Sequence, residues 1–317
     1  MHSSRDSARS SAAASIRRVA ETRVRPRPRQ AEPQADAGSA KAEGREYVTV
    51  IRPASRWPKL DFPELWHYRE LLAIFIWRDL KVRYKQTVIG AGWAIFQPVI
   101  TAVVYTLVFG RFAKFPSGHL PYPLFAFAGV LAMQYFTSAM TVSSTSLVAN
   151  VGLITKVYFP RLLVPLGAVL VPLVDFVLAL VILVGMMAWY STWPSASAVF
   201  APLFIVLAFI TAFGIGLVLS ALNVRYRDVP HILPVFMQVL PFLSGVPFAL
   251  DGVPLKWQWL LALNPMTSVI AGWRWTMLGG PKPVVGQVAL GVGVALLLLI
   301  GGLAFFRSSE PRFADTI

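Results

Sequence analysis

The chain contains no cysteine, which excludes disulfides, thiolate metal sites and a cysteine nucleophile. Its four histidines, His2, His67, His119 and His231, are too scattered to form a local metal site. No GxxxxGK[ST], HExxH or GxSxG occurs, so the usual phosphate cradle, zinc protease helix and serine nucleophile elbow are missing. Any ATP used with this chain is hydrolysed by another subunit, and nothing marks an enzyme active site. Acids are scarce, 15 Asp and Glu against 29 Lys and Arg in 317 residues. Near the start there is no apolar stretch of the length a signal peptide requires.

What the chain has in abundance is apolar surface. Hydrophobic residues make up 56% and charged residues only 14%, with a mean hydropathy of +0.61, which places it among membrane proteins. The net charge of +14 would suggest nucleic acid on a soluble fold, but 18 of the 29 Lys and Arg fall in residues 1–92, before the first long apolar run. That is the pattern of a basic cytoplasmic flank, with no nucleic-acid partner. Residues 1–46, with Arg25-Pro26-Arg27-Pro28-Arg29, are expected to be a disordered basic tail. Their Arg- and Ser-rich, acid-poor composition also suits an organellar transit peptide.

Between Glu64 and Lys85, Leu65, Leu72, Ile76 and Leu80 recur near helical spacing, while Arg78, Lys81 and Lys85 share another face. This predicts an amphipathic interface helix within residues 60–88, anchored by Trp66 and Trp77, its basic face toward anionic headgroups. Arg78, Lys81 and Lys85 could there receive a pyrophosphate headgroup. Apolar runs follow at about 91–110, 122–142, 164–190, 199–222, 231–250 and 284–306. Each approaches the roughly 20 residues that cross about 30 Å of hydrocarbon. The expectation is an all-α integral membrane protein with a six-span domain over 91–306 and a cytoplasmic tail at 307–317. The stretch 257–278, broken by Asn264-Pro265 and Arg274, predicts one or two short helices dipping into the outer leaflet between spans five and six. Loop charges favour both termini inside, and no internal repeat is evident.

Few residues stand out as functional candidates. On the first inside loop, Val157-Tyr158-Phe159 forms an aromatic knob between Lys156 and Arg161, fixed by Pro160. It invites a partner groove, or its rings sit in the membrane interface. On the second, Arg225, Arg227 and Asp228 form another docking surface, with Asp228 expected to pair with an arginine. Asp175 is the one acid placed in a membrane core; it fits a proton relay, a polar path lining or a hydrogen-bonded helix contact. The pairs Trp189 and Trp193, Trp257 and Trp259, Trp273 and Trp275 suit interfacial belts, or a sugar path in which aromatic faces pack against pyranose CH groups. The serine-rich run Ser143–Ser146 suits a helix end.

Four blocks together, Trp93–Lys114, Ser146–Leu166, Ala221–Val229 and Leu263–Gly279, resemble the membrane subunit of ABC-type polysaccharide exporters, which move O-antigen, capsule or teichoic acid precursors. The resemblance covers about residues 60–315. It implies six spans in a bacterial inner membrane, both ends cytoplasmic, and gate helices carrying Trp257, Trp259, Asn264, Trp273, Arg274 and Trp275. It also implies Lys156 to Arg161 on a coupling helix and Arg225 to Asp228 at a second ATPase contact. Two permeases would work with two separate ATPase subunits that hold ATP and magnesium, this chain having no cofactor of its own. A lipid-linked glycan would pass along the permease interface. One departure is Ser244-Gly245-Val246-Pro247-Phe248, where the family has a TPVxYP-like stretch. Rival readings are an ABC exporter of a small drug or lipid, a proton-coupled secondary transporter, and a membrane-bound glycosyltransferase.

Overall fold

The computed structural model describes residues 62–85, 92–194 and 196–316. The expected tail 1–46, and the ends of the 60–88 segment, lie outside the described residues. Among the described residues every regular element is helical. In chain order these are α1 (Phe62–His67), α2 (Arg69–Lys85), α3 (Gly92–Tyr105), α4 (Tyr122–Ala149), α5 (Val151–Ile154), α6 (Leu163–Trp189), α7 (Ala201–Arg225), α8 (Val229–Leu243), α9 (Leu255–Ala262), α10 (Pro265–Leu278) and α11 (Val285–Thr316). α3 widens into a π-helical stretch, Thr106–Phe112. A 3₁₀ turn, Ala196–Phe200, leads into α7.

Five helical stretches are long and apolar enough to cross a membrane: Gly92–Phe112, Tyr122–Ala149, Leu163–Trp189, Ala196–Arg225 and Val285–Pro311. The expected fifth run, 231–250, is instead the 15-residue α8, about 22 Å long at 1.5 Å per residue. Proline is the reason. Pro234 and Pro241 lie inside α8, each removing a backbone donor, and Gly245 follows in the left-handed region at φ 71°. Hydropathy counts residues without regard to such breaks. The stretch 257–278 resolves into two short helices, α9 and α10. α10 starts at Asn264, whose side chain accepts from the Met266 amide at 3.1 Å, and stops at Gly279, φ 67°.

α4 carries the most buried surface of the spans and α3 the least. Small residues set the packing around it. A Cβ at Gly302 of α11 would strike the backbone of Gly214 of α7, and one at Gly216 of α7 would strike Ser143 of α4, so backbones approach closely there. The serine run of α4 is thus an interface: Asn223 donates to the Ser144 carbonyl at 2.9 Å.

Two ends of the bundle can be told apart by these bonds. At the loop end, Arg78 reaches the Asn150 side-chain oxygen at 2.7 Å and Arg161 the Glu310 carbonyl at 2.6 Å. At the cap end, Phe200 stacks on Trp275, and Gln287 donates to Gln258 at 3.1 Å. The segment expected as a C-terminal tail continues α11 as helix to Thr316, with Phe306 and Phe313 both buried and in edge contact. α2 lies along the first half of α6: Leu72, Phe75 and Ile76 crowd Gly167, while Arg83 and Tyr84 reach Asp175. Arg78, Lys81 and Lys85 stay on its exposed side, as does Trp77, and Trp66 of α1 is exposed as well.

Candidate functional site

A groove of about 760 Å³ runs between α3, α4 and α8. Gln134, Thr137, Ser138 and Thr141 form one stripe of α4 at positions i, i+3, i+4 and i+7. Gln97 and Thr101 face them from α3, and Gln238 from α8. The threonines return their hydroxyls to their own helices, Thr101 to the Gln97 carbonyl at 2.9 Å and Thr141 to the Thr137 carbonyl at 2.8 Å. Gln97, Gln134, Ser138 and Gln238 have no side-chain hydrogen-bond partner among the described residues. Hydrocarbon leaves such groups unsatisfied at a cost, so the groove suits a hydrated or polar occupant. The sequence pattern hides this stripe because its residues carry no charge and Thr and Ser barely lower a run's hydropathy, although the four recur at helical spacing.

Asp175 lies beside this groove, its side chain 13% exposed, and pairs with Arg83 at 2.5 Å. It also accepts from the Tyr84 hydroxyl. Burial, and then the Asp175 contact, hold the Tyr84 phenol above its ordinary range, so it remains a neutral donor. The acid is therefore compensated from α2, by two residues the sequence pattern had not singled out. That makes it part of a hydrogen-bonded contact between α2 and α6.

The first loop splits where a single knob was expected. Tyr158 is 83% exposed and Val157 and Lys156 accompany it outward, but Phe159 is buried against Phe75 of α2. Arg161 is half-buried and committed to the end of α11. On the second loop Arg225, Arg227 and Asp228 are exposed. The expected pairing of Asp228 with an arginine is absent among the described ion pairs. It occupies instead the N-cap position of α8, where its charge favours the helix dipole, and Arg225 lies over the Tyr226 ring.

The cap-end candidates also divide. Trp257 and Trp259 are exposed. Asn264 ties α10 to the turn after α8 through Ser244 at 2.8 Å, and Trp275 stacks on Phe200. Trp273 and Arg274, expected along a path, are turned inward. Trp273 packs on Phe176. Arg274 donates to the carbonyls of Phe125 at 3.2 Å, Gly245 at 2.8 Å and Val246 at 2.6 Å, and covers the Phe125 ring. With each guanidinium nitrogen bonded to a backbone carbonyl, Arg274 clamps α4, α10 and the turn after α8 together. No group of His, Asp or Glu able to hold a metal occurs among the described residues.

Residues 70–278 match the family described as ABC-2 type transporter. The chain is similar to the O-antigen export system permease protein RfbA of Klebsiella pneumoniae, 29% identical over 249 residues, covering 78% of this chain and 95% of that protein. The protein of the same name from Myxococcus xanthus is 27% identical over 257 residues, covering 80% and 98%. The polysialic acid transport protein KpsM of Escherichia coli is 24% identical over 246 residues, covering 75% and 92%. With a match across most of the chain and helices that cross the membrane repeatedly, the chain belongs to the ABC-2 type transporter family as a multi-pass permease.

Proposed function

We propose that this chain is the permease subunit of an ATP-driven exporter of polysaccharide or lipid-linked glycan. Two copies would work with two copies of a separate ATPase subunit in a bacterial inner membrane, both termini cytoplasmic. The observation that carries this reading is the groove. Unpartnered amides of Gln97, Gln134 and Gln238 within the span region suit a hydrated polymer, and a second copy facing the groove would close it into a path. The names and near-complete coverage of the relatives support the same cargo class. Because Asp175 is engaged by Arg83 and Tyr84, a proton-coupled transporter finds no free acid there.

Six crossings fit the contacts better than five. α8 starts beside the end of α7 at the loop end, whereas residues 245–247 are held at the cap end by Arg274 and Tyr122. These contacts support a crossing by α8, a short helix with Pro234 and Pro241 inside it. The loop end faces the ATPase in this reading, with Tyr158 entering a groove of that subunit. Closure of the ATPase pair pushes the loop, and the Phe159 contact and the Arg161 bond pass the push to α2 and α11. ATP and magnesium sit in the partner subunit.

The test is to purify the tagged full chain in mild detergent and identify what accompanies it. A stoichiometric P-loop ATPase, with loss of surface glycan when this chain is deleted, is expected. A chain that purifies alone and transports without nucleotide overturns the proposal.

A further inference from the structure

The Arg83–Asp175 pair borders a cavity of about 160 Å³ between α2, α3, α4 and α6. We propose that this cavity is a subsite for one neutral sugar ring, opening off the groove; the assignment rests on the export reading above. Four lining residues, Arg83, Gln97, Gln134 and Ser138, are shared with the groove, so a ring can enter sideways from it. The volume is several times the roughly 30 Å³ that one water occupies.

Three features select the occupant. First, Tyr135 lines the cavity, is 2% exposed, and its hydroxyl has no partner. A buried hydroxyl of this kind calls for a bound polar group. Second, the charges of Arg83 and Asp175 offset one another, so an anion gains no net attraction while a polyol finds both donors and acceptors. The amides of Gln97 and Gln134 can each bond two adjacent hydroxyls, while the paired carboxylate and guanidinium keep one lone pair per oxygen and further N–H groups for single bonds. Third, Trp93 and Phe176 supply aromatic wall, against which the CH face of a pyranose packs.

The experiment is saturation-transfer NMR on the full chain in lipid nanodiscs, using glucose, galactose, mannose and rhamnose as probes, with inorganic phosphate as competitor. Transfer to the ring protons of at least one hexose is expected, unaffected by phosphate. Binding should weaken about tenfold in Tyr135→Phe, which removes only the hydroxyl, and in Gln134→Leu at the partly exposed rim. No transfer to any of the four sugars, equal transfer in both variants, or displacement by phosphate overturns the subsite. ATPase copurification is read separately, so a chain that keeps its ATPase but binds no sugar sinks only this inference. One that binds sugar without an ATPase sinks only the transporter reading.

Discussion

Phe159 meets Phe75 edge to face, with ring centroids 5.6 Å apart and 69° between the planes, so the loop that exposes Tyr158 is fastened to α2. Adjacent residues therefore do opposite work. Tyr158→Ala should leave the melting temperature unchanged while ATPase retention in copurification falls more than about tenfold, as for an aromatic anchor worth about 2 kcal/mol. Phe159→Ala should lower the melting temperature by several degrees, a loss of about 3 kcal/mol.

Arg274 predicts a stability defect at the cap end. Arg274→Met strands three carbonyls and should cost about 3 kcal/mol or more. Arg274→Lys should recover little of it, because an ammonium cannot span the same fork. Gly129→Ala should show the same loss, since its Cβ would run into the Arg274 guanidinium. Thermal melting of the solubilised protein reads all three.

Arg83→Leu leaves Asp175 without its cation and should cost about 3–5 kcal/mol, seen as a shrunken folded peak in size-exclusion chromatography. Adding Asp175→Leu removes the stranded charge and should restore most of that peak. Glycan export should stay impaired in the double variant, because both groups border the proposed sugar subsite.

A chain with no native cysteine is ready for topology mapping. Single cysteines at Lys114 and Asp251 should react with an impermeant maleimide added to intact spheroplasts, and those at Lys156 and Arg227 should not. Labelling of positions 227 and 251 from the same side would mean that α8 does not cross.

Much of the architecture was legible because membrane spans announce themselves by hydropathy and loops by charge. The four long runs that became α4, α6, α7 and α11 held as helix to within two residues at their ends. α8 did not, since Pro241 and Gly245 end a helix without lowering the apolar score. The site was less legible. Tyr158 and Phe159 look alike in sequence, and only the presence of Phe75 on a distant helix decides which turns inward. Trp273 and Arg274 resemble pore-lining residues until the carbonyls of Phe125, Gly245 and Val246 are brought to them. Gln134, Thr137, Ser138 and Thr141 recur at helical spacing, but without charge they do not stand out from an apolar run.

The close approach of Gly214 and Gly302 has a mechanical meaning. At that point backbone lies against backbone with no side-chain layer between, which resists sliding of α7 on α11. Movement that opens or shuts a path is then expected on the other side of the groove, where α8 carries Pro234 and Pro241 and α3 runs into a π-helical stretch.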